Sequence, residues 1–252
     1  MKRLILALAG LSLSAAAIAN EGAALPLEFK GDPGNIASAQ RGARDFMAYC
    51  SGCHSMKHLR YSRIGQDLGI PEDLLKANLM FTSDKVGDHI MSSMPADSAQ
   101  KWFGQAPPDL TLETRIRGAD WVYNYLNTFY VDESRPLGVN NLVLPGVSMP
   151  HVLADLQGLQ VKAAAKEGEA AAEHGAEHEG HEAGTGLELA HPGKLSPEEY
   201  EKFTGDLVNF MSYAAEPGRA SRLSMGPKVI LYLLVLTVLC YMLKKEFWKD
   251  VH

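Results

Sequence analysis

Cys50-Ser51-Gly52-Cys53-His54 constrains this chain more than any other five residues. Two thiols three positions apart on one turn can each add to a vinyl group of a haem. The adjacent histidine then reaches the iron. A zinc site needs four ligands, and no second CxxC lies nearby to supply them. A thioredoxin-like dithiol follows a strand in a βαβ pattern. Here Ala43, Phe46, Met47 and Cys50 recur at i, i+3, i+4 and i+7, so a helix of about Gln40 to Cys50 leads into the motif. The chain has only three cysteines, and two of them serve the motif. The reading is one covalent haem c, in a fold that must enclose a flat apolar disc.

The two ends agree with that chemistry. Met1-Lys2-Arg3, the apolar run Leu4 to Leu13 and Ala17-Ile18-Ala19 form a secretory leader, residues 1–19, with Asn20 as the mature first residue. Export to the bacterial periplasm suits haem attachment, and without haem the same cysteine pair would close a disulfide there. Near the other end, fifteen uncharged residues run from Val229 to Leu243. A membrane-spanning helix needs about 20 residues, so the anchor is placed at 226–245, with Lys228 and Lys244 snorkelling. Lys244, Lys245 and Lys249 put the tail, 246–252, in the cytoplasm by the positive-inside rule. Cys240 lies in the span as lipid-facing filler.

Residues 20–225 then form the periplasmic haem domain. The formal net charge of the whole chain is −6; without Lys2 and Arg3, 22 basic against 30 acidic residues leave −8. An acidic haem-bearing surface suits a basic soluble partner and argues against nucleic acid.

Within the domain, 20–39 is interrupted by Gly and Pro and reads as extended lead-in. Pro71 opens a helix with Leu74, Leu75, Asn78 and Leu79 on one side. Thr111 to Arg117 and Ala119 to about Phe129 read as helices, and Arg135 to Pro150 as loop. Ser196-Pro197-Glu198-Glu199 is a capping box with proline at the first helical position. Tyr200, Phe203, Leu207, Phe210 and Met211 stripe the helix that it opens. With few β-branched alternations, the class is mainly α. Ala163 to Gly186 holds only small, acidic and histidine residues apart from Lys166 and Thr185, and cannot bury enough surface to fold alone. His174, His178 and His181 have helical spacing that could bind a metal; a solvated insertion is the plainer reading.

His54 supplies one axial ligand, and the sixth position decides the work. An open site binds small molecules, whereas a methionine makes an electron carrier of raised potential. The candidates are Met56, Met80, Met91, Met94 and Met149. Met56 is too close to reach the far face. Met94 and Met149 both precede proline, and spacing alone does not separate them.

The chain strongly resembles the cytochrome c1 family of proteobacterial type, the haem subunit of the ubiquinol–cytochrome c reductase (cytochrome bc1) complex. The resemblance rests on Cys50 to Met56, Ala106-Pro107-Pro108-Asp109-Leu110-Thr111, Arg115-Ile116-Arg117-Gly118, Pro145-Gly146-Val147-Ser148-Met149-Pro150, Ala214-Ala215-Glu216-Pro217 and Met225-Gly226-Pro227-Lys228, in that order. It implies a class I c-type cytochrome domain with loop insertions and one C-terminal transmembrane helix. It implies Met149 as the second iron ligand and Arg117 beside a haem propionate. It also implies single electrons arriving from the Rieske iron–sulfur protein and leaving to a soluble or tethered cytochrome c, with cytochrome b and membrane lipid as neighbours. Such a subunit does no bond chemistry alone; catalysis belongs to the ubiquinol–cytochrome c oxidoreductase. Two features depart from the family pattern: the Ala/Glu/His insertion, and a single proline after Met149. The alternative is a free-standing, membrane-anchored cytochrome c that feeds a terminal oxidase.

Overall fold

A computed structural model describes residues 25–32, 34–163 and 185–249. The leader (1–19), most of the Ala/Glu/His insertion with its three histidines, and the last three residues lie outside that range. Helix α1, Ile36–Tyr49, starts four residues earlier than the apolar pattern implies. The Asn35 side chain accepts from the Ser38 backbone N–H at 3.1 Å, and that cap recruits residues expected in the lead-in. Helix α8, Pro197–Ala215, begins as its sequence dictates, with Ser196 and Glu199 closing a capping box.

Helices α1 and α8 cross at Gly42. A Cβ on Gly42 would stand 2.0 Å from the Asp206 backbone carbonyl oxygen, so only glycine lets the two backbones approach this closely. On the same α8 residue, the carboxylate accepts from Ser38 Oγ (2.6 Å), Arg41 Nε (2.6 Å) and Nη2 (2.7 Å), and Lys202 Nζ (3.0 Å). Phe46 and Phe210 meet beside the crossing, ring centroids 5.7 Å apart.

After the CxxCH turn, β1 (Met56–Arg60) leads into α2 (Tyr61–Leu68), which Gly69 ends at φ 65°. Helix α3, Glu72–Asn78, buries Leu75 and, just past its end, Leu79, but leaves Leu74 exposed, which narrows the face expected there. Strand β2 (His89–Ile90) pairs antiparallel with β1. Then come α4 (Ala96–Phe103), α5 (Glu113–Ile116) and α6 (Ala119–Asn127). The sequence pattern carried α6 on to Phe129. It stops at Asn127 because Thr128 turns its hydroxyl back to the Asn124 carbonyl (2.8 Å), and Phe129 opens β3 (Phe129–Val131). Strand β4, Val139–Asn141, pairs with it inside the segment expected as pure loop. Tyr200 on α8 donates to the Leu126 carbonyl at 2.9 Å and joins α6 to the core.

Helix α7 (Ala154–Gln157) precedes β5 (Gly158–Lys162), which pairs antiparallel with β6 (Leu187–Pro192). The insertion therefore leaves and returns at one place: Ala163 N–H donates to the Gly186 carbonyl at 2.9 Å. Extra chain between two paired strands adds little loop-closure cost, because that cost grows slowly with length.

Helix α9, Arg219–Phe247, continues through Gly226-Pro227, where the sequence pattern places its start. Its apolar stretch, Ser221–Phe247, has 27 residues, about 40 Å at 1.5 Å per residue. That is enough for a hydrocarbon layer of about 30 Å. The large apolar side chains from Val229 to Leu243 are exposed around the whole circumference, as a helix facing lipid requires.

Candidate functional site

The haem motif is a turn wound off the end of α1. Cys50 N–H donates to the Phe46 carbonyl at 2.8 Å, and the N–H groups of Cys53 and His54 both donate to the Cys50 carbonyl, at 3.0 and 2.8 Å. This closes both cysteines and the imidazole onto one turn. Cys50 and Cys53 are free thiols. Burial pushes the Cys50 thiol up to about 12, with Cys53 and Asp45 adding to the effect, so it stays protonated at neutral pH.

Both cysteines and His54 line a cavity of about 380 Å³, within the range of small-molecule sites. Its other walls come from Pro107, Pro108 and Leu110, from Trp121 and Tyr125 on α6, from Val147 to Pro150, and from Leu207 and Met211 on α8. The lining is mainly apolar, as a macrocycle needs.

His54 is poised for a metal. Its Nδ1 lies 2.8 Å from the Pro108 carbonyl, which can only accept, so Nδ1 carries the proton and Nε2 keeps a lone pair. Desolvation holds the imidazole below its ordinary value and outweighs the Pro108, Glu113 and Asp109 contributions, which favour the charged form. The neutral ring is the ligating form. The Pro108 carbonyl is itself fixed locally. Asp109 accepts from the N–H of Lys57 (2.7 Å) and from the N–H and hydroxyl of Thr111 (3.0 and 2.6 Å), while Leu110 N–H donates to the Ser55 carbonyl (2.9 Å). The Ala106-to-Thr111 motif thus works as the outer support of the histidine.

Among the methionines weighed from sequence, Met149 lines this cavity and Met94 does not. Met56 and Met80 belong to the core, and Met91 is 50% exposed. The Met149 Sδ accepts from the Tyr125 hydroxyl at 3.3 Å. Its loop is tied down by Arg135, whose Nη2 donates to the Gly146 carbonyl at 2.8 Å, with Gly146 at φ 80°. Arg117 stands exposed at the rim. Its Nε donates to Glu113 Oε1 at 2.6 Å, and its guanidinium lies 4.3 Å over the Trp121 ring. Burial raises the Tyr125 phenol well above its usual value, against a smaller lowering by Arg117, so its hydroxyl remains a donor.

Three members of the site carry no functional signal in the sequence. Met211 reads there only as part of a helix stripe, Tyr125 only as part of an apolar face, and the Pro108 carbonyl has no signal beyond its motif. Among the described residues no group of three or more His, Cys, Asp or Glu side chains is arranged to hold a metal ion. The donor set fits a haem c instead: two free thiols for the vinyl groups, one unprotonated imidazole nitrogen and the thioethers of Met149 and Met211, all on the same cavity.

The cytochrome C1 family model matches residues 32–162 and 194–251. The chain belongs to the cytochrome c1 family. The match spans every element of the site and omits the segment that carries the Ala/Glu/His insertion. A cytochrome c1 of Allochromatium vinosum is 48% identical over 252 residues, covering 100% of both chains. The ammonia monooxygenase gamma subunit of Nitrosomonas europaea is 43% identical over 216 residues, 85% of this chain and 84% of that one. The cytochrome b/c1 of Bradyrhizobium diazoefficiens is 25% identical over 272 residues, 93% of this chain and 37% of that one. As a member of its family, the chain carries one covalently bound haem c and is an electron-transfer subunit of the respiratory bc1 complex, anchored to the membrane by α9.

Proposed function

We propose that this chain passes single electrons from a Rieske iron–sulfur protein to a soluble or tethered cytochrome c, using a haem held by Cys50, Cys53, His54 and Met149. The carrying observation is that these four side chains line one cavity, with the His54 ring already turned so that Nε2 is free. Cys50 and Cys53 would hold the haem through two thioether links. His54 Nε2 and Met149 Sδ would ligate its iron, a pairing that would raise the potential relative to two nitrogen ligands. When bound, the haem supplies a one-electron iron couple.

The chain's own residues prepare that couple. Pro108 holds the His54 ring through Nδ1, which fixes its plane and strengthens Nε2 as a donor. Arg117, braced by Glu113 and by the Trp121 face, presents positive charge at the cavity rim that would balance a haem propionate. The apolar walls exclude water and so disfavour the more positive ferric state. Helix α9 fixes the haem domain at the surface of the bilayer. The haem domain faces the periplasm and the tail after Phe247 faces the cytoplasm, a reading supported by the leader and by Lys244, Lys245 and Lys249. Cytochrome b as a neighbour is supported by the relative named cytochrome b/c1.

Purification of the tagged chain from membranes in mild detergent tests this reading. The expected result is a haem-stained band in stoichiometric company with cytochrome b and a Rieske protein. Recovery with a terminal oxidase would instead make it a free-standing carrier. Recovery with monooxygenase subunits would align it with the Nitrosomonas europaea relative.

A further inference from the structure

We propose that Tyr125 is a positioning residue for Met149, whose hydroxyl holds the thioether in its ligating orientation and raises the potential of the iron it binds. The inference rests on the reading that Met149 is an axial ligand. Among the described residues, the one hydrogen-bond partner of the Tyr125 hydroxyl is Met149 Sδ, at 3.3 Å. A thioether sulfur is a weak acceptor, and a half-buried hydroxyl ordinarily finds a carbonyl. Here the geometry delivers it to sulfur.

The tyrosine has little freedom to do otherwise. Its ring stacks on Trp121 at 5.3 Å with an interplanar angle of 9°, and Phe129 meets it edge-on at 5.2 Å. Phe129 in turn stacks flat on His151, two residues beyond Met149, at 4.8 Å. The methionine loop is therefore joined twice to the aromatic ladder that runs from α6 into β3, once through sulfur and once through a ring. Sulfur has two lone pairs; with one engaged by Tyr125, the other is left for the metal. The O–H dipole points its positive end at the ligand atom. That disfavours the ferric state relative to the ferrous one and raises the potential.

Tyr125→Phe removes the hydroxyl and keeps the ring, its stacking and its volume. In the haem-loaded protein, redox titration followed optically should show the ferrous-to-ferric ratio at a fixed applied potential falling threefold to tenfold, about 28–59 mV for a one-electron couple. The ferric charge-transfer band of the iron–thioether bond should shift or weaken, and the protein should remain low-spin. A ratio changed less than 1.5-fold with an unmoved band, while Met149→Leu abolishes that band, would overturn the proposal and leave Met149 as ligand. A band that survives Met149→Leu would overturn the ligand reading, and this inference with it. A loss of thermal stability alone, with ratio and band unmoved, marks a purely structural hydroxyl and also overturns the proposal.

Discussion

Where α1 crosses α8, backbone meets backbone at Gly42, and one α8 residue, Asp206, supplies both the carbonyl that touches it and the carboxylate that ties Ser38, Arg41 and Lys202 together. The cavity is built the other way. It draws on a turn and a loop instead of two helix backbones, the turn after α1 and the loop around Met149, and each is held by a separate partner, the Pro108 carbonyl for one and Tyr125 for the other. The helix crossing is a rigid, closely packed frame. The haem site hangs from it on short, individually anchored turns, so ligand chemistry can be altered without breaking the frame, and the frame can be weakened without changing the ligands.

The largest effect that tests this separation is on the site side. Cys50→Ala with Cys53→Ala should remove covalent haem entirely, read as loss of the haem-stained band after denaturing electrophoresis. Retention of that band in the double variant would contradict the attachment site. On the frame side, Gly42→Ala forces a methyl against backbone that cannot rotate away. It should destabilise the haem-loaded protein by about 1–3 kcal/mol or more. Its visible spectrum should stay that of the parent; a changed ligand band would mean that frame and site are coupled.

Asp206 gives a smaller, pH-dependent effect. Burial opposes its ionisation, but the hydrogen bonds from Arg41, Ser38 and Lys202 prevail and hold the carboxyl below its usual range. A depressed folded-state value stabilises the fold fully above the unfolded value, about 4, and that gain is lost as pH falls through the folded value. Asp206→Asn should therefore cost about 1–3 kcal/mol at neutral pH and flatten the stability profile below about pH 4. An unchanged profile in thermal melts across pH 3–7 would remove Asp206 from the account of the crossing.

The same division explains what could be read from the sequence. Features fixed by local chemistry were legible: the CxxCH turn, the Ser196 capping box, the apolar anchor and the stripe of α8. Features fixed by a distant partner were not. Nothing near Gly42 announces the Asp206 carbonyl, which lies more than 160 positions away. Tyr125 gave only an apolar-face signal, because its partner Met149 comes from another segment. The four residues from Ile36 to Ala39 were missed for a local reason, since the cap is Asn35 and the apolar pattern starts later. Leu74 was misjudged because α3 is a short surface helix that buries only one edge. Met149 and Met94 share the same Met-Pro context, so the sequence alone does not separate them; Met149 lines the cavity and Met94 does not.

The cavity holds a second thioether, Met211, built into α8 within the hydrophobic core. The measurement that tests the central claim most directly is therefore the ferric absorption spectrum of three haem-loaded variants, Met149→Leu, Met94→Leu and Met211→Leu. Each exchange nearly conserves volume and should cost under about 1.5 kcal/mol in packing. The account predicts that the iron–thioether charge-transfer band vanishes, and the potential falls, in Met149→Leu alone. Loss of the band in Met94→Leu or Met211→Leu, with Met149→Leu unchanged, would contradict it.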